Sequence, residues 1–146
     1  MARAEHLRRG AEHEVGFALH LDLLPGLPPA ECRQLQRRHE DYAEAQGLHF
    51  EGTQLRHVVS AADRPVSAAD QVALVDWLVV QCGVVGLRIG PIRPLPEARD
   101  DDPAFIQVRS GDLALNGLTL LYRCGRIDPA LYLQILGGYV RPAHVH

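Results

Sequence analysis

The sequence predicts an α+β fold, a two-layer sandwich in which a four-stranded antiparallel sheet carries two helices in β-α-β-β-α-β, ferredoxin-like order, with a C-terminal helical hairpin added. Three observations predict it. Residues 15–23 alternate apolar and small or polar side chains. The apolar phase slips between residues 48–50 and 55–59, as a tight hairpin requires. Apolar residues at helical spacing from Val72 then run through Gly83 and Gly86 into the alternating "LRIGP". The chain has 146 residues, 47% hydrophobic and 23% charged, the length and composition of one folded domain.

In the first strand, Val15, Phe17, Leu19, Leu21 and Leu23 alternate with Gly16, Ala18, His20 and Asp22, so one face is apolar. "PGLPP" breaks the chain, and its prolines suit a helix start, where an N–H is dispensable. The first helix is predicted from Pro29 to Gln46, with Cys32, Leu35, Tyr42 and Ala45 inward and Arg33, Arg37, Glu40 and Glu44 outward. Gly47 suits its C-terminal cap. A Gly52-Thr53 turn would pair Phe50 with Leu55, and a single strand bulged at Gly52 is the alternative.

Ser67 followed by Asp70 reads as a capping box opening the second helix, where Val72, Val75, Leu78, Val79 and Cys82 share a stripe and Trp77 lies at its margin. "PIRPLPEARDDDP" has the prolines and acids of a surface linker, dividing residues 1–95 from a linker and helical extension at 96–146 that packs on the first domain. Leu115, Leu118, Leu121 and Tyr122 recur helically, Gly125 can end that helix, and Asp128 with Pro129 can begin the next.

Charge and chemistry exclude several classes. The net charge is −3, and all fifteen cations are arginine, so a Schiff-base or phosphate-binding lysine is ruled out and any basic surface is local. Three scattered cysteines fit reduced thiols in a cytoplasmic protein, Cys32 and Cys82 reading as core atoms. No run of residues is long enough to cross a bilayer, and no membrane partner is expected. The eight histidines form no metal-ligand spacing, no nucleophile elbow occurs, and consecutive Asp100, Asp101 and Asp102 cannot converge on a cation. No cofactor, metal or catalytic residue is therefore expected. His20 and His57 could cooperate only if the fold joined them, and their phases put them on different faces.

A basic arm, then "EVGFALHL", a helix, "LHFEG" and "ADQVALVDWL" running into a terminal strand resemble the YggL-type proteins, over about residues 1–95. The resemblance implies a non-enzymatic bacterial protein that binds the large ribosomal subunit, through ribosomal protein, rRNA or both. Arg3, Arg8 and Arg9 of the arm, with Arg33 and Arg37 one helical turn apart and Arg38 beside them, are the expected contacts. The alternative is an interaction or homodimerisation module using Leu118, Leu121, Leu131 and Ile135 of the tail, unless these pack on the open face of the sheet.

Overall fold

The computed structural model describes residues 14–53, 55–110 and 113–140. Arg3, Arg8 and Arg9 lie outside them. The elements are β1 (Val15–Leu23), α1 (Pro29–Ala45), β2 (Leu48–Gly52), β3 (Arg56–Ala61), α2 (Ala68–Leu78), β4 (Val84–Ile89), β5 (Arg93–Pro94), a 3-10 turn (Leu95–Glu97), β6 (Ile106–Arg109), α3 (Leu113–Arg123) and α4 (Pro129–Val140). The architecture is α+β with an antiparallel sheet.

The sheet has six strands, not four, in the order β2-β3-β1-β4-β6, with β5 paired to β1. Of the two additional strands, β5 lies within the stretch read as a linker and β6 follows it. Ile106 and Val108 pair with Ile89 and Leu87, so β6 widens the sheet beyond β4 and brings its own apolar residues to the core face. No strong alternation marks so short a strand. It pairs because β4 offers an edge and because a Val or Ile side chain there buries apolar area.

The alternation in β1 governs the rest. Phe17, Leu19 and Leu21 are fully or almost fully buried, and the residues opposite them, Val59, His57, Ile89 and Leu87, share their face. The hairpin forms with its turn two residues later than expected: Phe50 lies opposite Val59, not Leu55, and the Thr53 N–H donates to the Arg56 carbonyl at 2.9 Å. The register moves by an even number of residues, so Phe50 still shares its sheet face with His57 and Val59.

Helices α1, α2 and α4 pack against the core face, and α3 packs on α4. The inner side of α1 is Leu35, His39 and Ala43, with Tyr42 half-buried; Ala45, expected inward, is exposed. The capping box of α2 is present, with the Ser67 N–H donating to Asp70 Oδ2 at 2.8 Å. That helix ends at Leu78 rather than continuing to Cys82, so Cys82 leaves the stripe and is exposed, and Cys32 is only half-buried. The tail helices do not cover the open sheet face. They lie beside α2, where Tyr132 and Leu136 complete the core and Asp128 caps α4 by accepting the Leu131 N–H at 2.7 Å.

Residues 93–105 cover the open face instead. A Cβ on Gly16 would stand 2.6 Å from Leu95 Cδ2 and 2.7 Å from the Val59 carbonyl oxygen, so only glycine permits this approach. Two acids of this segment are engaged: Asp102 accepts from Arg93 at 3.0 Å and from the Ala104 N–H at 2.9 Å, and Asp100 lies 3.5 Å from Arg56.

Candidate functional site

Two polar surfaces, one apolar surface and one buried cluster are candidates. The first is the outward side of α1. Arg33, Arg37 and Arg38 are exposed, and among the described residues none takes part in an ion pair. By contrast, Arg56, Arg64, Arg93 and Arg123 each meet an aspartate. The stripe does not continue along the helix, because Glu40, Asp41 and Glu44 occupy the exposed positions of its second half.

The second surface is the open sheet face around His20. His20 on β1 lies opposite Arg88 on β4 and Arg56 on β3, so two neighbouring strands aim guanidinium groups at one imidazole. Arg88 donates to His20 Nδ1, which fixes the neutral tautomer with its proton on Nε2, 3.8 Å from the Asp22 carboxylate. Burial, then the Arg88 charge and the lesser charge of Arg56, push the His20 pKa below the ordinary histidine value against the pull of Asp22 and Asp100. The Arg88 guanidinium also lies over the Phe105 ring, 5.3 Å from its centroid.

Beside this cluster an open cleft of about 370 Å³ is lined by Ala18, Glu51, Gly52, Arg56, Val58 and Asp100, among others. Among the described residues its lining includes no serine or cysteine, and Asp100 faces Arg56. The cleft, whose lining also includes His57, Arg99 and Asp101, can hold a small polar molecule. None of these partners was legible in the sequence, since Arg56, Arg88, Asp100 and Phe105 come from three separate segments. The only signal was the phase of His20, which places it on the sheet face away from the core.

His57 sits on the other face, as its phase implied, and joins a cluster the sequence did not reveal. The His39 ring lies 4.6 Å from Phe50, 5.7 Å from His57 and 5.6 Å from Trp77, and Tyr42 stacks on Trp77 at 5.1 Å. His39 is 2% exposed, and its Nε2 has no hydrogen-bond partner among the described residues. Burial, reinforced by His57, lowers its pKa to about 4.

The third surface is the outer side of the tail helices. Leu121, Leu131 and Ile135 are 46%, 40% and 41% exposed, and Leu120 adds 61%. Leu118, expected with them, is 9% exposed and belongs to the core, because its side of α3 is turned towards Tyr132 and Leu136.

No group of three or more histidine, cysteine, aspartate or glutamate side chains among the described residues could hold a metal ion. No described helix is long and apolar enough to cross a membrane. Comparison with known proteins finds no matching family model, no matching curated protein and no matching solved structure.

Proposed function

We propose that this chain is a cytoplasmic, non-enzymatic accessory protein that associates with the large ribosomal subunit. The reading rests on the YggL-like pattern of residues 1–95, and on an α+β frame whose β4-β1-β3-β2 order we take as ferredoxin-like with β5 and β6 added. One observation carries it: Arg33, Arg37 and Arg38 stand together, exposed and without ion pairs among the described residues, on α1, whereas Arg56, Arg64, Arg93 and Arg123 each meet an aspartate. Unpaired guanidinium groups are the side chains best suited to grip phosphate oxygens in two-point contacts. Because the whole chain is acidic, the contact would combine RNA phosphates with a basic ribosomal protein rather than naked RNA.

Co-sedimentation of the intact chain with purified large subunits at low and moderate salt tests this. Binding should weaken as salt rises, and replacing Arg3, Arg8 and Arg9, or Arg33, Arg37 and Arg38, by alanine should lower affinity and flatten the salt dependence. Failure to sediment at either salt would overturn it.

A second reading has its own observation. The exposed Leu120, Leu121, Leu131 and Ile135 on α3 and α4 favour a protein-interaction surface. Leu121→Asp with Ile135→Asp would abolish an association made there and leave ribosome binding unchanged.

A further inference from the structure

We propose that the free edge of β2 pairs with β2 of a second copy of this chain, antiparallel and about a two-fold axis at Phe50. The backbone geometry is the first argument. The Leu21 N–H donates to the Leu55 carbonyl at 2.8 Å, so in β3 the odd-numbered residues turn their N–H and C=O groups towards β1. The even-numbered ones therefore face β2, as the Thr53 N–H to Arg56 carbonyl bond confirms. Bonding alternates along β2 in step, so His49, Glu51 and Thr53 bond to β3 while Leu48, Phe50 and Gly52 turn their backbone groups outward. No strand lies on that side among the described residues. A two-fold axis at Phe50 matches Phe50 with its own copy and Leu48 with Gly52 of the second copy, so every outward group finds a partner.

The side chains are self-complementary in the same register. His49 and Glu51, 3.8 Å apart within one copy, are exposed on the open face, and the axis also sets His49 opposite Glu51 of the second copy, at the positions where facing side chains come closest. Helix α1 repeats the pattern. It packs on β2 with His39, near its middle, 4.6 Å from Phe50, so the same axis passes by the middle of the helix. Tyr42 faces α2 through Trp77, and Arg33, Arg37, Glu40 and Glu44 lie on the opposite side of the helix, towards the β2 edge. Reversing the helix about its middle brings Arg33 level with Glu44 of the second copy and Arg37 level with Glu40.

Within a single copy Arg37 is one turn from Glu40 and Asp41, but two other spacings in this charge order are unfavourable. Arg33 and Arg37 are like charges one turn apart, as are Glu40 and Glu44, and Glu44 sits in the last turn, where a cation is preferred. An antiparallel partner relieves both repulsions. Arg33 and Arg37 also belong to the ribosome surface proposed above, so dimerisation and that contact exclude each other; the dimer does not rest on the ribosome reading.

Sedimentation equilibrium of the full chain over a range of concentrations, with amide hydrogen exchange read at Leu48, Phe50 and Gly52, tests the proposal. A monomer–dimer equilibrium is expected, with exchange at those three amides slowing as the dimer fills. Arg33→Glu with Arg37→Glu should weaken association at least about tenfold, and adding Glu40→Arg and Glu44→Arg should restore it. Circular dichroism of each variant checks that the fold is kept. A chain that stays monomeric up to about 100 μM, above the range of ordinary specific association, overturns the proposal. So does a dimer whose Phe50 amide is no slower to exchange, or one lost to Leu121→Asp and Ile135→Asp but indifferent to the charge reversal. Dimerisation without co-sedimentation with ribosomes would leave it standing and remove only the ribosome reading.

Discussion

Arg64 grips both carboxylate oxygens of Asp70, at 2.7 and 2.9 Å, and thereby ties the loop after β3 to the first turn of α2. Burial pushes the Asp70 pKa up, but the Arg64 hydrogen bonds and charge, with the Ser67 N–H and hydroxyl, outweigh it and hold the group below its ordinary value. A carboxyl depressed in the folded state adds stability that is present above its unfolded pKa of 3.8 and is lost as pH falls through the folded value. Asp70→Asn loses the ion pair and half of the capping box, and should cost about 2 kcal/mol in urea unfolding at pH 7. Because Arg64 is partly exposed, Arg64→Ala should cost less, about 1 kcal/mol. Equal stability of Asp70→Asn and the parent would show that the pair contributes nothing.

His39 makes stability depend on pH in a higher window. Its folded pKa of about 4 lies below the ordinary 6.5, so between these values the unfolded chain binds the extra proton. Stability is then complete above pH 6.5 and falls as pH drops towards 4, by up to about 1.4 kcal/mol per pH unit, or about 3 kcal/mol in all. His39→Phe keeps a ring against Phe50 and Trp77 and removes the titration. Unfolding curves at pH 7 and pH 4.5 should differ strongly for the parent and much less for the variant; the same difference in both would clear His39 of the effect.

After burial, Arg88 has the largest hold on the proton of His20. With Arg88→Ala, the donor to Nδ1 and the nearest positive charge both vanish, so the His20 pKa should rise towards the ordinary histidine value. Histidine titration by NMR checks this. A pKa that did not move, or fell, would mean that burial alone sets it.

Gly16→Ala should destabilise the protein by about 1–3 kcal/mol, since the new methyl group meets the Val59 carbonyl oxygen, a backbone atom held in the sheet, as well as the Leu95 side chain. A thermal melt is sufficient, and a variant as stable as the parent would mean that residues 95–105 can lift from the sheet at no cost.

Truncation after residue 102 should abolish folding rather than trim an extension. It removes β6 from the β4 edge and takes Tyr132 and Leu136 from the core, leaving Leu87, Ile89 and Val75 in water. A cooperative unfolding transition of fragment 1–102 would contradict this.

Local signals decided the elements that were legible from the sequence. The alternation of β1, the Ser67 to Asp70 box, Asp128 before Pro129 and the phase slip at the hairpin all depend on residues close in the chain, where spacing alone fixes which side chains and backbone groups meet. The separation of His20 from His57 followed from the same period of two. What escaped depends on neighbours distant in sequence. A four-residue strand such as β6 exists only because β4 offers it an edge, and residues 95–105 lie on the sheet only because Gly16 and Ala18 leave space above β1. His39 is buried because Phe50, His57 and Trp77 converge on it, and Leu118 is buried because α4 turns Tyr132 and Leu136 against α3. The sequence by itself thus determined the strands β1 to β4, the four helices and the caps at Ser67 and Asp128, since those are settled by hydrogen bonds and apolar spacing within a few residues. Only the tertiary structure decided which polar residues face one another and which strand edge stays open, because burial and charge pairing depend on distances between segments that no local spacing records.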